Sequence, residues 1–139
     1  MNLFQARGLI GLVLVVNVQC AIAFLLWPGR YAPSFELQGE AGDAIIQGIG
    51  VLFLMWNVPY GVALWNPMRH RLALYEAVVM QAIGLAGETW IYLSMSSTLA
   101  VARDALTRFI FFDALGLLAL IVAVWLTREN RLPDMPQAQ

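Results

Sequence analysis

Residues 9–27 read LIGLVLVVNVQCAIAFLLW, and this stretch decides the fold because it is apolar over its length and carries no charge. A helix rises about 1.5 Å per residue, so about 20 residues span the hydrocarbon layer of a bilayer, which is about 30 Å thick. That layer offers no water to backbone amides, which a helix satisfies internally. The stretch is therefore predicted to be a membrane-spanning helix that ends at Pro28 and Gly29.

Three more apolar segments of similar length follow, at residues 44–65, 72–95 and 106–126. None of them alternates with the two-residue period of a membrane strand. Of the 139 residues, 60% are hydrophobic and 12% are charged, against about 25% charged residues in a soluble domain. We therefore predict an all-α fold, a four-helix bundle with up-down-up-down order in one transmembrane domain (residues 1–139). Residues 127–139 are predicted to form a flexible polar tail.

The eight basic residues are all arginines, and they are divided unequally between the two ends of the predicted helices. One end carries Arg7, Arg69, Arg71, Arg128 and Arg131, and the other carries Arg30, Arg103 and Arg108. Cytoplasmic loops of membrane proteins carry an excess of Arg and Lys. The arginine count predicts cytoplasmic N- and C-termini in a multi-pass protein of a bacterial inner membrane.

The first connection, PGRYAPSFELQGEAGD at residues 28–43, is predicted to be an outward-facing loop. Tyr31, Phe35 and Leu37 are expected at the membrane interface, where amphipathic rings and apolar side chains settle. Asp43 is predicted to cap the second helix, because an N-cap carboxylate accepts hydrogen bonds from the first free amides.

Four polar residues lie inside the third and fourth predicted helices: Gln81, Glu88, Arg108 and Asp113. Gln81 and Glu88 are seven residues apart and share a helix face, and Glu88 and Asp113 are expected at the same depth. Ionisable groups inside a membrane are costly and need partners. One interpretation is a structural clamp in which Arg108 bridges the two carboxylates. The alternative is a proton or ion relay, which the chain supports less because no series of acids continues across the membrane.

The second predicted helix contains Asn57, Pro59 and Tyr60, and we expect it to kink there because proline cannot donate a backbone hydrogen bond. The kink is a possible pocket for the head group of a lipid, quinone or pigment. The alternative is a packing role, with Asn57 hydrogen-bonded to a neighbouring helix through a residue such as Asn17.

Several kinds of chemistry find no motif in the chain. Cys20 is the only cysteine and His70 the only histidine, so no disulfide within the chain and no Cys- or His-based metal cluster is expected. No nucleophile–base pair is evident, so we predict no catalytic residue, no cofactor and no enzyme activity. The net charge of −1 gives no reason to expect nucleic acid as a partner.

Residues 42–88, which run from GDAIIQGIG through WNVPYGVALWNPMRHR to IGLAGE, resemble the central part of small bacterial four-helix membrane proteins of the DoxX-like or uncharacterised type. A looser likeness, in size and type, is to accessory subunits of quinol-oxidising electron-transfer complexes such as alternative complex III. The resemblance implies no catalytic residues, because such proteins mostly have no assigned chemistry.

These observations predict a non-catalytic accessory or structural subunit that docks on a larger membrane complex, with a respiratory or photosynthetic electron-transfer complex as the candidate. Its expected partners are the bilayer and other membrane subunits. The alternative prediction is a binder or carrier of a small hydrophobic molecule, a lipid or a quinone, within the bundle.

Overall fold

The computed structural model describes residues 2–129, which form α-helices and one 3₁₀ helix and contain no strand. The elements are, in chain order, α1 (Asn2–Leu26), α2 (Pro28–Tyr31), the 3₁₀ helix (Ala32–Phe35), α3 (Gly39–Trp56), α4 (Val58–Trp65), α5 (Arg71–Ser94) and α6 (Ala100–Glu129). The predicted all-α class is confirmed for these residues. The tail was predicted to begin at residue 127, but α6 continues through Glu129. The remaining residues of the predicted tail, 130–139, lie outside the described part of the chain.

Three helical stretches of the described chain are long and apolar enough to cross a membrane: Asn2–Leu26, Gly39–Trp65 and Ala100–Arg128. The second of them comprises α3 and α4 together. The third predicted span, residues 72–95, corresponds to the helix α5, which has 24 residues but is not among these three. Glu76, Gln81 and Glu88 lie within α5 and lower its hydropathy. The protein is therefore a membrane protein by its helices, with one long helix more polar than the other three.

Large apolar side chains face outward along the long helices, as at Leu12 on α1, Leu52 on α3 and Leu118 on α6. A soluble domain rarely exposes a continuous apolar surface of this kind. In a bilayer the same surface meets lipid tails, which are as apolar as leucine. The outer surface thus agrees with the membrane assignment.

One half of the molecule, here called the closed half, is filled by an alanine-rich core. It joins the beginning of α1, all of α4, the beginning of α5 and the end of α6, through Ala6, Ile10, Val13, Tyr60, Ala63, Ala73, Leu74, Ala77, Leu120 and Ala123. Small side chains let helix backbones approach closely, which favours packing between helices in a membrane. The alanines therefore allow these four helices to pack closely in this half.

The predicted kink is present as a break at Asn57, where α3 ends and α4 begins. The Asn57 side chain donates a hydrogen bond to the carbonyl of Phe53 at 2.6 Å, and Pro59 has no amide hydrogen to continue the ladder. On one side of the break, α4 packs against α1 and α5; on the other, α3 packs against α1 but has no substantial contact with α5. The break thus separates α3 from α5.

The other half, here called the open half, contains an aromatic cluster formed by Phe24, Tyr31, Phe35, Phe53 and Phe109. Phe24 is its centre, with ring centroids 5.0 Å from Tyr31 and 6.0 Å from Phe53. Because this cluster draws residues 28–35 onto the helices, the connection forms α2 and the 3₁₀ helix, and the prediction of a simple loop was wrong. Tyr31 and Phe35 are half-buried in the cluster.

The second helix also begins earlier than predicted, at Gly39 instead of residue 44, with Gln38 as its N-cap. Asp43 therefore lies inside α3, and the prediction that it caps this helix was wrong. Residues 39–43, GEAGD, were predicted to belong to a loop because they contain two acids. An acid such as Glu40 is nevertheless favourable in the first turn of a helix. Asp43 instead lies against Gly29 of α2.

Three hydrogen bonds fix the end of α5 and the beginning of α6. The Glu36 carboxylate accepts a hydrogen bond at 3.4 Å from the backbone amide of Ala102, in the first turn of α6. The Arg103 guanidinium donates to the carbonyls of Tyr92 and Met95, each at 2.9 Å, at the end of α5. An anion at a helix N-terminus and a cation at a helix C-terminus both interact favourably with the helix dipole.

Candidate functional site

A cavity of about 390 Å³ lies between α1, α3, α5 and α6, next to the helix break. Its walls are mostly apolar, with Phe53, Trp56 and Phe112 among them, and its polar lining includes Glu88 and Asp113. Sites for small ligands have this character, with volumes of about 300–1,000 Å³, apolar walls and a few placed polar groups. We take this cavity as the candidate functional site.

A buried chain of hydrogen bonds begins in the closed half and ends at the cavity. The Tyr60 hydroxyl donates to Gln81 Oε1 at 2.6 Å and lies 3.1 Å from the carbonyl oxygen of Ala77. Gln81 Nε2 in turn donates to Asp113 Oδ1 at 2.9 Å. Tyr60 and Gln81 are 0% and 2% exposed, so no solvent or lipid group is needed to satisfy their polar atoms. This polar chain links α4, α5 and α6.

Two glycines make room for the polar chain, and they are arranged reciprocally on α5 and α6. A Cβ at Gly84 would lie 2.5 Å from Asp113 Oδ2, and a Cβ at Gly116 would lie 2.8 Å from Gln81 Nε2. Each helix thus carries a polar residue and, three positions later on the same face, a glycine that receives the polar side chain of the other helix. Gly116 was missed in the sequence, although the matching Gln-x-x-Gly and Asp-x-x-Gly patterns were visible there.

Glu88 lines the same cavity as Asp113, but it has no donor within the described part of the chain. Its Oε2 is a buried oxygen without a hydrogen-bond partner. A buried carboxylate oxygen left without a donor costs free energy, because its hydration is lost and not replaced. The structural clamp predicted for Glu88 is therefore not formed in this structure.

Arg108 also lines the cavity, but its guanidinium does not bridge Glu88 and Asp113 as predicted. Its Nη2 atom instead forms an ion pair at 2.7 Å with Asp104, one helical turn earlier on α6, and the two side chains are 69% and 72% exposed. The local pair forms because an acid four residues away lies on the same helix face. The prediction that Arg108 bridges the two carboxylates was wrong, because its partner is Asp104. Gln81 and Asp113 are joined by a direct hydrogen bond.

At the break, Asn17 Nδ2 donates a hydrogen bond to Asn57 Oδ1 at 3.2 Å, which confirms the expected packing partner on α1. Asn57 is also part of the cavity lining, whereas Pro59 and Tyr60 are not. Packing between helices and a ligand pocket were predicted as alternatives for this kink. Asn57 takes part in both, because it bonds to α1 and also lines the cavity.

The cavity opens towards the lipid-facing surface between α3 and α5. Ile83, Gly87 and Ile91 line it and are also exposed, and their spacing of four residues places them in one stripe along α5. This is the gap that the break leaves between α3 and α5. A Cβ at Gly87 would meet no atom within 4 Å, so the glycine keeps the opening wide.

The chemistry open to this site is binding by hydrogen bonds and apolar contact. In residues 2–129, no three His, Cys, Asp or Glu side chains are grouped so that they could hold a metal ion. Cys20 lines the cavity as a free thiol. Glu88, Asp113 and the side-chain amides are the polar groups that an entering molecule would meet.

No protein-family model matches the chain, and neither a curated protein nor a solved structure is similar enough to count as a relative. The resemblance to DoxX-like proteins and to accessory subunits therefore remains a prediction. The function has to be argued from the cavity itself.

Proposed function

We propose that this protein is a non-catalytic, multi-pass protein of a bacterial inner membrane that binds a small amphipathic molecule inside its helix bundle. Lipids and quinones are the membrane-soluble classes to which such a molecule belongs. The observation that carries the proposal is the cavity of about 390 Å³, which has apolar walls, buried polar groups and a lateral opening. A molecule dissolved in the bilayer enters through the gap between α3 and α5 without crossing an aqueous phase.

The proposal includes a four-helix bundle with up-down-up-down order, in which α3 and α4 form one broken span and α5 is the third span. Its support is the alanine-rich core, where the first residues of α1 and α5 meet the last residues of α6. The polarity of α5 is compatible with a span because its polar residues, such as Gln81, are turned towards other helices. The excess of arginines at that end supports the proposal that both termini are cytoplasmic.

The test compares two leucine substitutions on α5. Gly87→Leu fills the mouth of the cavity without a clash, because a Cβ there meets nothing. Ala86→Leu is the matched control, since Ala86 is exposed and is not among the cavity-lining residues. Each protein is extracted from native membranes into polymer-bounded lipid discs, and its small molecules are identified by mass spectrometry.

We expect one amphipathic molecule to accompany the wild-type and Ala86→Leu proteins in near-equimolar amount and to be lost from Gly87→Leu. If all three proteins retain the same molecules in the same proportions as bulk lipid, the proposed function is wrong.

A second candidate function is that of an accessory subunit that docks on a larger membrane complex. The observation that favours it is on α3, where Ala44 and Gly48 are exposed one turn apart and a Cβ at Gly48 would meet nothing. Small residues four apart let a helix of another subunit approach closely. Affinity purification in a mild detergent tests this function: other membrane subunits should be recovered in stoichiometric amount with the wild type and lost with Gly48→Leu.

A further inference from the structure

The amide and hydroxyl groups next to the cavity already donate hydrogen bonds within the protein, while carboxylate acceptors remain free. Asn57 Nδ2 donates to a backbone carbonyl, Gln81 Nε2 donates to Asp113, and the Tyr60 hydroxyl donates to Gln81. On the acceptor side, Glu88 Oε2 has no donor and Asp113 Oδ2 receives no hydrogen bond from the described residues. The cavity therefore presents carboxylate oxygens that an entering molecule would have to satisfy.

The charges are unbalanced in the same direction. Glu88 and Asp113 both line the cavity, and Arg108 is the only basic residue in its lining among residues 2–129. The Arg108 guanidinium is engaged by Asp104 on an exposed part of α6 and does not approach either carboxylate within ion-pair distance. Carboxylates inside a membrane need a cation or a proton, since burial of an unpaired charge is costly.

We propose that the molecule bound in this cavity is an alkylammonium, a protonated amine attached to an apolar tail; this inference rests on the proposed binding function. The ammonium group donates its N–H hydrogens to Glu88 Oε2 and to Asp113 Oδ2. Its single positive charge balances one of the two carboxylates, and the other is held neutral by a proton. Such charge-assisted hydrogen bonds are about twice as strong as neutral ones. The tail lies along the apolar wall formed by residues such as Phe53 and Phe112 and leaves through the gap at Gly87.

The test uses three probes with the same ten-carbon tail and different head groups: decylammonium, decyltrimethylammonium and decanol. The first has charge and N–H donors, the second has charge alone, and the third has a neutral hydroxyl donor. Binding to the full-length protein in lipid nanodiscs is followed by tryptophan fluorescence, for which Trp56 in the cavity wall is the reporter. The signal that Gly87→Leu abolishes is taken as cavity binding, and empty nanodiscs give the partition into lipid.

We expect decylammonium to bind at least about tenfold more tightly than decanol, and more tightly than decyltrimethylammonium. Glu88→Gln, which keeps the shape of the side chain, should remove this preference and leave decanol binding unchanged. Glu76→Gln is the matched control, because Glu76 is an exposed acid of the same helix and is not part of the cavity lining.

Three outcomes would overturn the inference. Equal binding of decanol and decylammonium, with both lost in Gly87→Leu, would refute the alkylammonium and leave the proposed binding function intact. Equal binding of the two cations would refute the role of the N–H donors. If no probe gives a saturable signal that Gly87→Leu abolishes, and no molecule is retained in native discs, the binding function fails together with the inference.

Discussion

The closed half and the open half share the long helices α1, α5 and α6, yet one is packed and the other contains a cavity. In the closed half, α4 contacts both α1 and α5, and alanines such as Ala63 and Ala77 bring the backbones together. In the open half, α3 packs against α1 and α2 but has no substantial contact with α5, and large rings such as Phe53 and Phe109 fill the space only in part. A single break at Asn57 thus lets one bundle combine rigidity with a binding space.

The comparison predicts that the two halves respond differently to the same added side chain, and this is the largest effect we expect. Ala77 is 0% exposed in the closed half, so Ala77→Leu overpacks the core and should lower the free energy of unfolding by about 3 kcal/mol. Gly87→Leu in the open half should change it by less than about 1 kcal/mol, because the glycine borders open space. Unfolding in SDS mixed micelles, followed by circular dichroism, measures both values.

Equal destabilisation by the two leucines would show that the open half is packed as tightly as the closed half. In that case the gap between α3 and α5 would not exist in the membrane. Ala86→Leu, on the exposed face of α5, controls for the general effect of a leucine in this helix.

The two polar groups of α5 should also differ, by a smaller amount. Gln81→Leu removes two hydrogen bonds between helices, those with Tyr60 and Asp113. Because such bonds in membrane proteins average about 0.6 kcal/mol each, the substitution should cost about 1–2 kcal/mol. Glu88→Leu should not lower the stability at all, since Glu88 Oε2 has no partner in the fold. The same unfolding assay checks this contrast.

If Glu88→Leu lowered the stability as much as Gln81→Leu does, Glu88 would have a structural role. It would mean that Arg108 leaves Asp104 and reaches the carboxylate in the membrane. The double variant Glu88→Leu, Arg108→Gln would then be no less stable than Glu88→Leu alone.

The smallest change in stability is expected for Pro59→Ala, because Pro59 lies in the first turn of α4, where a missing amide hydrogen is tolerated. The geometry should nevertheless change. With a donor restored at this position, α3 can continue into α4, and we expect it to approach α5 towards the spacing of packed helices, about 8–10 Å between axes. Spin labels at Ile45 and Trp90, in a Cys20→Ala background, would report a shorter distance.

Labels at Val62 and Leu72 in the closed half serve as the control and should keep their distance, because α4 and α5 already pack there. An unchanged distance between Ile45 and Trp90 would show that proline does not set the break. The hydrogen bond from the Asn57 side chain to the Phe53 carbonyl would then be its cause.

Much of the fold could be predicted because helix length and apolar composition are local properties of the chain. The spans, the break next to Pro59 and the contact between Asn17 and Asn57 follow from hydropathy, from the proline ring and from the need of a buried amide for a partner. The structured connection at residues 28–35 could not be predicted in this way, because it forms by packing on Phe24, Phe53 and Phe109, which are distant in sequence.

The sequence predicted which residues belong to the candidate site, but it did not predict which of them contact each other. Spacing placed Gln81 and Glu88 on one helix face, but it gave no information on which atom across the bundle each would meet. Arg108 could pair with Asp104, one turn away on the same helix, or with one of two more distant acids, Glu88 and Asp113. Only the folded geometry decides between these partners. The same holds for Gly116, whose role depends on the side chain of Gln81.

The contact between Glu36 and Ala102 has a consequence for the order in which the protein is made. Glu36 lies in the first connection, whereas Ala102 begins the last helix, 66 residues later in the chain. A ribosome has therefore delivered α1, α3, α4 and α5 to the membrane before the carboxylate of Glu36 can find its amide. This early segment of the chain is therefore among the last to reach its final position, and the arrival of α6 completes this end of the molecule.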